Sequence, residues 1–237
     1  EILNVHLDKI RFNPNTTKET LARRLSSLTP GFSGADLSNI CNEAAILAAR
    51  GDKEFVEMVD FEKATERVLA GLEKRNNLTD QEKKIIAYHE SGRAVASWLL
   101  EGGVPIIKLT IVPRSKKSLG YSQFLPDQVS LNTKQELLDK ICCALAGKVS
   151  EELVLHQMTD SSTADLEKAR KIAYAMVTRF GMSDVINNIG YPDSELIKKP
   201  YSSSLEEKID DEVFRIISCE TNRVKQLLTQ NLDKLNA

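Results

Sequence analysis

"IIAYHESGRAVASWLL", Ile85–Leu100, decides how the rest of the chain is read. Its apolar residues recur every three to four positions, which predicts a helix with one apolar face. On that helix His89 and Glu90 open an HExxH pattern, but Arg93 stands where the second histidine belongs. In an intact pattern residues i and i+4 share a face, so two imidazoles can grip one zinc ion. The glutamate beside the first histidine then takes a proton from the metal-bound water, whose pKa the metal lowers to about 7. A guanidinium has no free lone pair and keeps its charge at any ordinary pH. Arg93 therefore cannot replace an imidazole as a ligand. Taken alone, His89 and Glu90 also read as a packed histidine and a surface acid.

Outward from this stretch, start signals recur. Ser33–Asp36, Thr79–Glu82, Thr133–Glu136 and Ser162–Asp165 each place an acid three residues after a hydroxyl, the form of a capping box. Together with apolar spacing they predict helices over 16–28, 33–50, 60–74, 79–101, 133–156, 163–180 and 204–234, with Gly181 closing the sixth. "PIIKLTIVP" and "LGYSQFL", between Gly102 and Leu125, are β-branched and apolar and predict two strands of a hairpin. "IGY", 189–191, would add a short edge strand, and 192–204 reads as a mobile loop. The fold class is mainly α with a minor β part. The polar run Glu73–Lys84 marks a boundary between domains 1–77 and 78–237.

Bulk properties narrow the function classes. The chain has 237 residues, 41% apolar and 28% charged, with a net charge of −2. That charge gives no reason to expect a nucleic-acid partner. No apolar run approaches the roughly 20 residues that span a bilayer. The first residue is Glu1 rather than methionine, and we expect a fragment. Four cysteines lack a CxxC pair and are expected to be reduced core thiols.

Six stretches carry a resemblance. "LTPGFSGADLSNICNEAAILAAR", Leu28–Arg50, resembles the small helical lid of FtsH-type AAA ATPases. "AYHESGRAV" resembles that family's "AYHEAGHAV", and "IVPRSKKSLGYSQFLP" its hairpin. "ALAGKVSEELV" and "ADLEKARKIAYAMVTRFGMSD" are similar to two further family helices, and "KPYSSSLEEKIDDEV" to its last one. Order and spacing agree along the chain, with most likeness to the mitochondrial m-AAA/paraplegin branch of these zinc metalloproteases.

The resemblance implies an AAA lid over 1–77 followed by a zincin-like peptidase domain over 78–237. It implies hexameric rings of FtsH-like subunits, homo- or hetero-, that thread unfolded polypeptides at the expense of ATP. It also implies quality control of membrane proteins, an N-terminal anchor and the mitochondrial inner membrane. The anchor and the phosphate-binding loop are not in this stretch; "LAGKVS" has Gly147–Lys148, but Cys142 stands where a P-loop needs its first glycine. Gly34 and Ala35 would supply lid contacts to the nucleotide.

Residue by residue, the first zinc ligand falls on His89, the general base on Glu90, the third ligand on Asp165 and a supporting acid on Glu151. The second ligand falls on Arg93. Asp165 also reads as a capping acid, Glu151 and Glu152 as a solvated helix edge, and His156 as a substitute ligand without a partner. In the implied fold Arg93 would meet Asp165 with a bidentate hydrogen bond, or else Glu90 one turn back. The family's "TGA" loop reads "TDSSTAD" here, 159–165, so the departure extends beyond one position. Together these features imply a peptidase that is weak or inactive. The alternatives are an active zinc endopeptidase with an altered ligand set and a non-catalytic scaffold subunit.

Overall fold

A computed structural model of the chain describes residues 1–13, 16–71, 78–113, 120–125, 131–186, 189–191 and 201–236. It divides into two compact units, Glu1–Asn76 with Val112–Tyr121, and Asn77–Ile111 with Ser122–Ala237.

The first unit contains α1 (Ile2–Leu7), α2 (Lys18–Leu28), α3 (Gly34–Arg50) and α4 (Met58–Ala70). Its core gathers Leu7, Leu25, Ile40, Ala44 and Phe61. On α3 the buried residues Leu37, Ile40, Cys41, Ala44 and Ala48 follow the three-to-four spacing, which leaves the opposite face to solvent. The Ser33 box is complete: Asp36 N–H donates to the Ser33 hydroxyl, and Ser33 N–H to the Asp36 carboxylate at 3.0 Å. Such a cap contributes on the order of 1 kcal/mol. Helix α1 went unpredicted because six residues are too few to show a period. Helix α4 begins two residues early, where Asp60 accepts the Glu57 N–H at 3.0 Å. It stops at Gly71, whose φ of 85° is incompatible with a continuing helix.

The second unit contains α5 (Asp80–Leu99), β1 (Ile106–Thr110), all but the first residue of β2 (Tyr121–Phe124), α6 (Lys134–Leu155), a 3-10 turn (Asp160–Ser162), α7 (Thr163–Thr178), α8 (Ser203–Gln230) and α9 (Leu232–Asn236). The two strands pair antiparallel as one small sheet. Helix α6 is buried on every side, from Leu137 through Ile141, Cys142, Leu145 and Ala146 to Val149 and Glu151. A helix buried along most of its length belongs at the centre of a bundle, and α6 packs against α5, α7 and α8. Among the described residues no helix is long and apolar enough to cross a membrane.

Several expectations need correction. Ser162 makes no side-chain cap; the 3-10 turn takes over, with Thr159 accepting from Ser161 N–H. The last long helix breaks at Asn231, and α9 follows it. Residues 189–191 form no strand: the Tyr191 N–H goes to the Thr178 carbonyl at 2.6 Å, which leaves it no place in a ladder. Cys41 and Cys142 are buried free thiols, but Cys219 is exposed rather than in the core. The loop expected at 192–204 lies mostly outside the described residues.

Candidate active site on helix α5

The site forms where α5 and α6 cross closely, and two glycines permit that approach. A Cβ on Gly92 would lie 2.5 Å from the Ser150 hydroxyl and 2.7 Å from the Ala146 carbonyl. A Cβ on Gly147 would lie 2.6–2.8 Å from three atoms of the His89 ring. Neither position tolerates a side chain without displacement. Gly147, which the sequence offered only as part of a failed P-loop, is thus the seat of the imidazole.

His89 is 5% exposed and Glu151 fully buried. The His89 Nδ1 lies 2.7 Å from Glu151 Oε1, and Nε2 lies 3.2 Å from Asp165 Oδ2. Burial works against protonation of the imidazole, but the hydrogen bonds to Asp165 and Glu151 outweigh it and push the pKa up to about 9. Burial raises the Glu151 carboxyl, yet hydrogen bonds from His89, Ser161 and Thr159 leave it below its usual range. Thr159 donates to Glu151 Oε2 from its N–H at 3.1 Å and its hydroxyl at 2.9 Å. Ser161 donates to Oε1 at 2.8 Å. The polar loop 159–165 therefore supplies donors to the acid that holds His89.

Arg93 reaches both acids that the sequence offered it. Its Nη1 lies 3.4 Å from Glu90 Oε2, and its Nη2 3.8 Å from Asp165 Oδ1. The expected bidentate bond to Asp165 does not form, because the guanidinium is shared with Glu90 and lies over the Phe124 ring at 5.2 Å from its centroid. Ser122, also on β2, donates its hydroxyl to Glu90 Oε2. Sequence reasoning missed Ser122, Phe124, Thr159, Ser161 and Gly147. Only their proximity in space reveals them.

The structure therefore brings together His89, Glu90, Arg93, Glu151 and Asp165. Glu151 is no solvated edge; Glu152, half-buried and paired with Lys225 at 2.9 Å, comes nearer to that description. His156 ends α6 in the left-handed conformation, φ 52°, and is exposed beside Glu152 and Lys225 rather than in the site. Gly34 and Ala35 open α3 in the first unit, behind the Ser33 cap. A separate cavity of about 670 Å³, lined by Val95, Trp98, Leu100 and Ile106, contains none of the site acids.

The donor set decides whether zinc fits. Two donors about 2 Å from one tetrahedral zinc stand roughly 3.3 Å apart, close to the 3.2 Å between His89 Nε2 and Asp165 Oδ2. A catalytic site needs a third protein ligand. The third seat belongs to a cation that cannot ligate, and among the described residues no group of three His, Cys, Asp or Glu side chains could hold a metal. The residues present do not fit a catalytic zinc ion.

Comparison with known proteins gives the family. The model of Peptidase family M41 matches residues 76–237, and the AAA+ lid domain model matches residues 20–63. The chain is 46% identical over 236 residues to the ATP-dependent zinc metalloprotease FtsH of Parabacteroides distasonis. It is 44% identical over 234 residues to the mitochondrial inner membrane m-AAA protease component AFG3L2 of Mus musculus. To the mitochondrial ATP-dependent zinc metalloprotease FTSH 10 of Arabidopsis thaliana it is 38% identical over 237 residues. These alignments cover 98%, 97% and 99% of this chain but 34%, 29% and 29% of the relatives. The chain thus spans about a third of the length of the curated relatives it matches. Bacterial and mitochondrial members resemble it to a similar degree. On the match over 76–237 and the α5–α6 crossing that carries its HESGR motif, the chain belongs to peptidase family M41.

Proposed function

We propose that the chain is the C-terminal part of an FtsH-like ATP-dependent protease subunit, an AAA lid over 1–77 and a peptidase domain over 78–237, whose peptidase centre is impaired. The observation that carries this is the position of Arg93, between Glu90 at 3.4 Å and Asp165 at 3.8 Å. A fixed positive charge there compensates the acids that a divalent ion would otherwise neutralise. His89 stays oriented by Glu151 and Asp165, but Glu90 has no activated water to deprotonate. The subunit's remaining work is structural and regulatory. It contributes its fold to a hexameric, homo- or hetero-oligomeric ring of FtsH-like subunits that handles unfolded polypeptides in membrane-protein quality control. The lid residues Gly34 and Ala35 contribute to an ATP site whose phosphate-binding part lies elsewhere in the longer protein. The mitochondrial members among the relatives support the inner mitochondrial membrane as the location.

Metal content tests this reading. The purified chain should hold well under one zinc per molecule and leave casein intact, whereas Arg93→His should bind about one. Stoichiometric zinc in the unaltered chain, with casein cleavage that EDTA stops, would overturn it. It would establish instead an active endopeptidase with an altered ligand set, the reading that the 3.2 Å spacing of His89 and Asp165 favours.

A further inference from the structure

Two residues of β2 and two of α5 meet in register. Ser122 and Phe124 are two apart on a strand and so share a face; Glu90 and Arg93 are three apart on a helix and are neighbours on its surface. Ser122 donates to Glu90 Oε2, the oxygen that Arg93 Nη1 approaches at 3.4 Å. Phe124 covers the guanidinium, with Cζ 5.2 Å from the ring centroid, within cation–π range. Glu90 is 2% exposed, so its carboxylate depends on these partners.

We propose that β2 is a clasp on the site: Phe124 holds Arg93, and Ser122 ties up the carboxylate positioned to act as base. Ser122 is a positioning residue, acting through Glu90. The chain then carries two separate blocks to peptide hydrolysis, a missing ligand at position 93 and a base whose Oε2 already accepts a hydrogen bond from the Ser122 hydroxyl. Repair of one block leaves the other in place. The clasp rests on the impaired-centre reading above, but it concerns β2, which that reading does not use.

The experiment compares Arg93→His with the double variant Arg93→His/Ser122→Ala. Zinc chloride, set against EDTA, should raise the melting temperature of both by the same amount. Only the double variant should cleave an unstructured fluorogenic peptide, at least about tenfold faster than the single one, a small part of what a freed general base can contribute. Equal rates in the two zinc-stabilised variants, including no cleavage by either, would overturn the clasp. If zinc stabilises neither variant, position 93 is not the sole obstacle to the metal and the loop 159–165 is at fault as well, and hydrogen exchange in the Arg93 protein decides the clasp alone. There Ser122→Ala should speed exchange of the β1 and β2 amides about tenfold, as expected for loss of a hydrogen bond to a charged acceptor, with α6 amides unchanged. Unchanged β2 exchange would overturn it.

Discussion

Helix α6 carries two buried acids, Asp139 and Glu151, and the clusters around them use an arginine in opposite ways. Near its N-terminus Asp139 accepts from Arg223 Nη2 at 2.7 Å, from the Gly102 N–H at 2.9 Å and from Gln135 at 3.0 Å. Arg223 also reaches Glu220 at 3.0 Å, and Glu220 takes the Cys142 thiol at 3.0 Å. Every group in that network has a close partner. Near the C-terminus of α6, Glu151 and His89 are held as tightly, but the cation beside them is not: Arg93 stands 3.4 Å from one acid and 3.8 Å from the next. The first cluster is saturated, as a structural network must be to offset its desolvation. The second has a tightly fixed histidine and a loosely fitted cation.

This contrast can be broken experimentally. Arg223→Ala should have the largest effect, since it leaves buried Asp139 and Glu220 without their cation. About 3–5 kcal/mol of unfolding free energy should be lost, read by urea denaturation. An effect no larger than that of Arg93→Ala would erase the distinction between the clusters.

The next effect is a pH window. The folded pKa of His89, about 9, lies above the ordinary value of 6.5. A raised pKa means that the folded state binds the proton more tightly, so this stabilisation is complete below about pH 6.5 and is lost as pH rises through 9. At about 1.4 kcal/mol per pKa unit the loss amounts to a few kcal/mol. Melting curves between pH 6 and 10 would check it, and Glu151→Gln should flatten the profile.

Gly147→Ala sharpens the same point from the packing side. Its methyl group would enter the space of the His89 ring, at a cost of about 1–3 kcal/mol. The His89 ring resonances should shift by NMR while the Asp139–Arg223 cluster stays intact. Arg93→Ala should cost less than Arg223→Ala, about 1–2 kcal/mol by urea denaturation, because its ion pairs to Glu90 and Asp165 are long, 3.4 and 3.8 Å.

Much of this was legible in the residues. The hydroxyl–acid pairs at Ser33, Thr79 and Thr133 mark helix starts because a cap is satisfied within four residues and needs no distant partner. The fourth pair, at Ser162, failed for the complementary reason: the preceding loop is drawn toward Glu151 through Thr159 and Ser161, and the chain enters α7 through a 3-10 turn. The HESGR motif identified the site helix, and its spacing placed His89, Glu90 and Arg93 within one turn.

By itself, then, the sequence determined that α5 carries HESGR, an HExxH-like stretch with an arginine at its fifth position, and that the chain is helical around one small hairpin. These depend on side-chain chemistry and short-range periodicity, which are local. Only the tertiary structure decided that Arg93 is shared between Glu90 and Asp165, that Gly147 makes room for the imidazole, and that Ser122 and Phe124 close over the site. Apart from Arg93–Glu90, those contacts join residues 31 to 72 positions apart. Their geometry follows from how closely α5, α6 and the hairpin approach, a distance that no local pattern encodes.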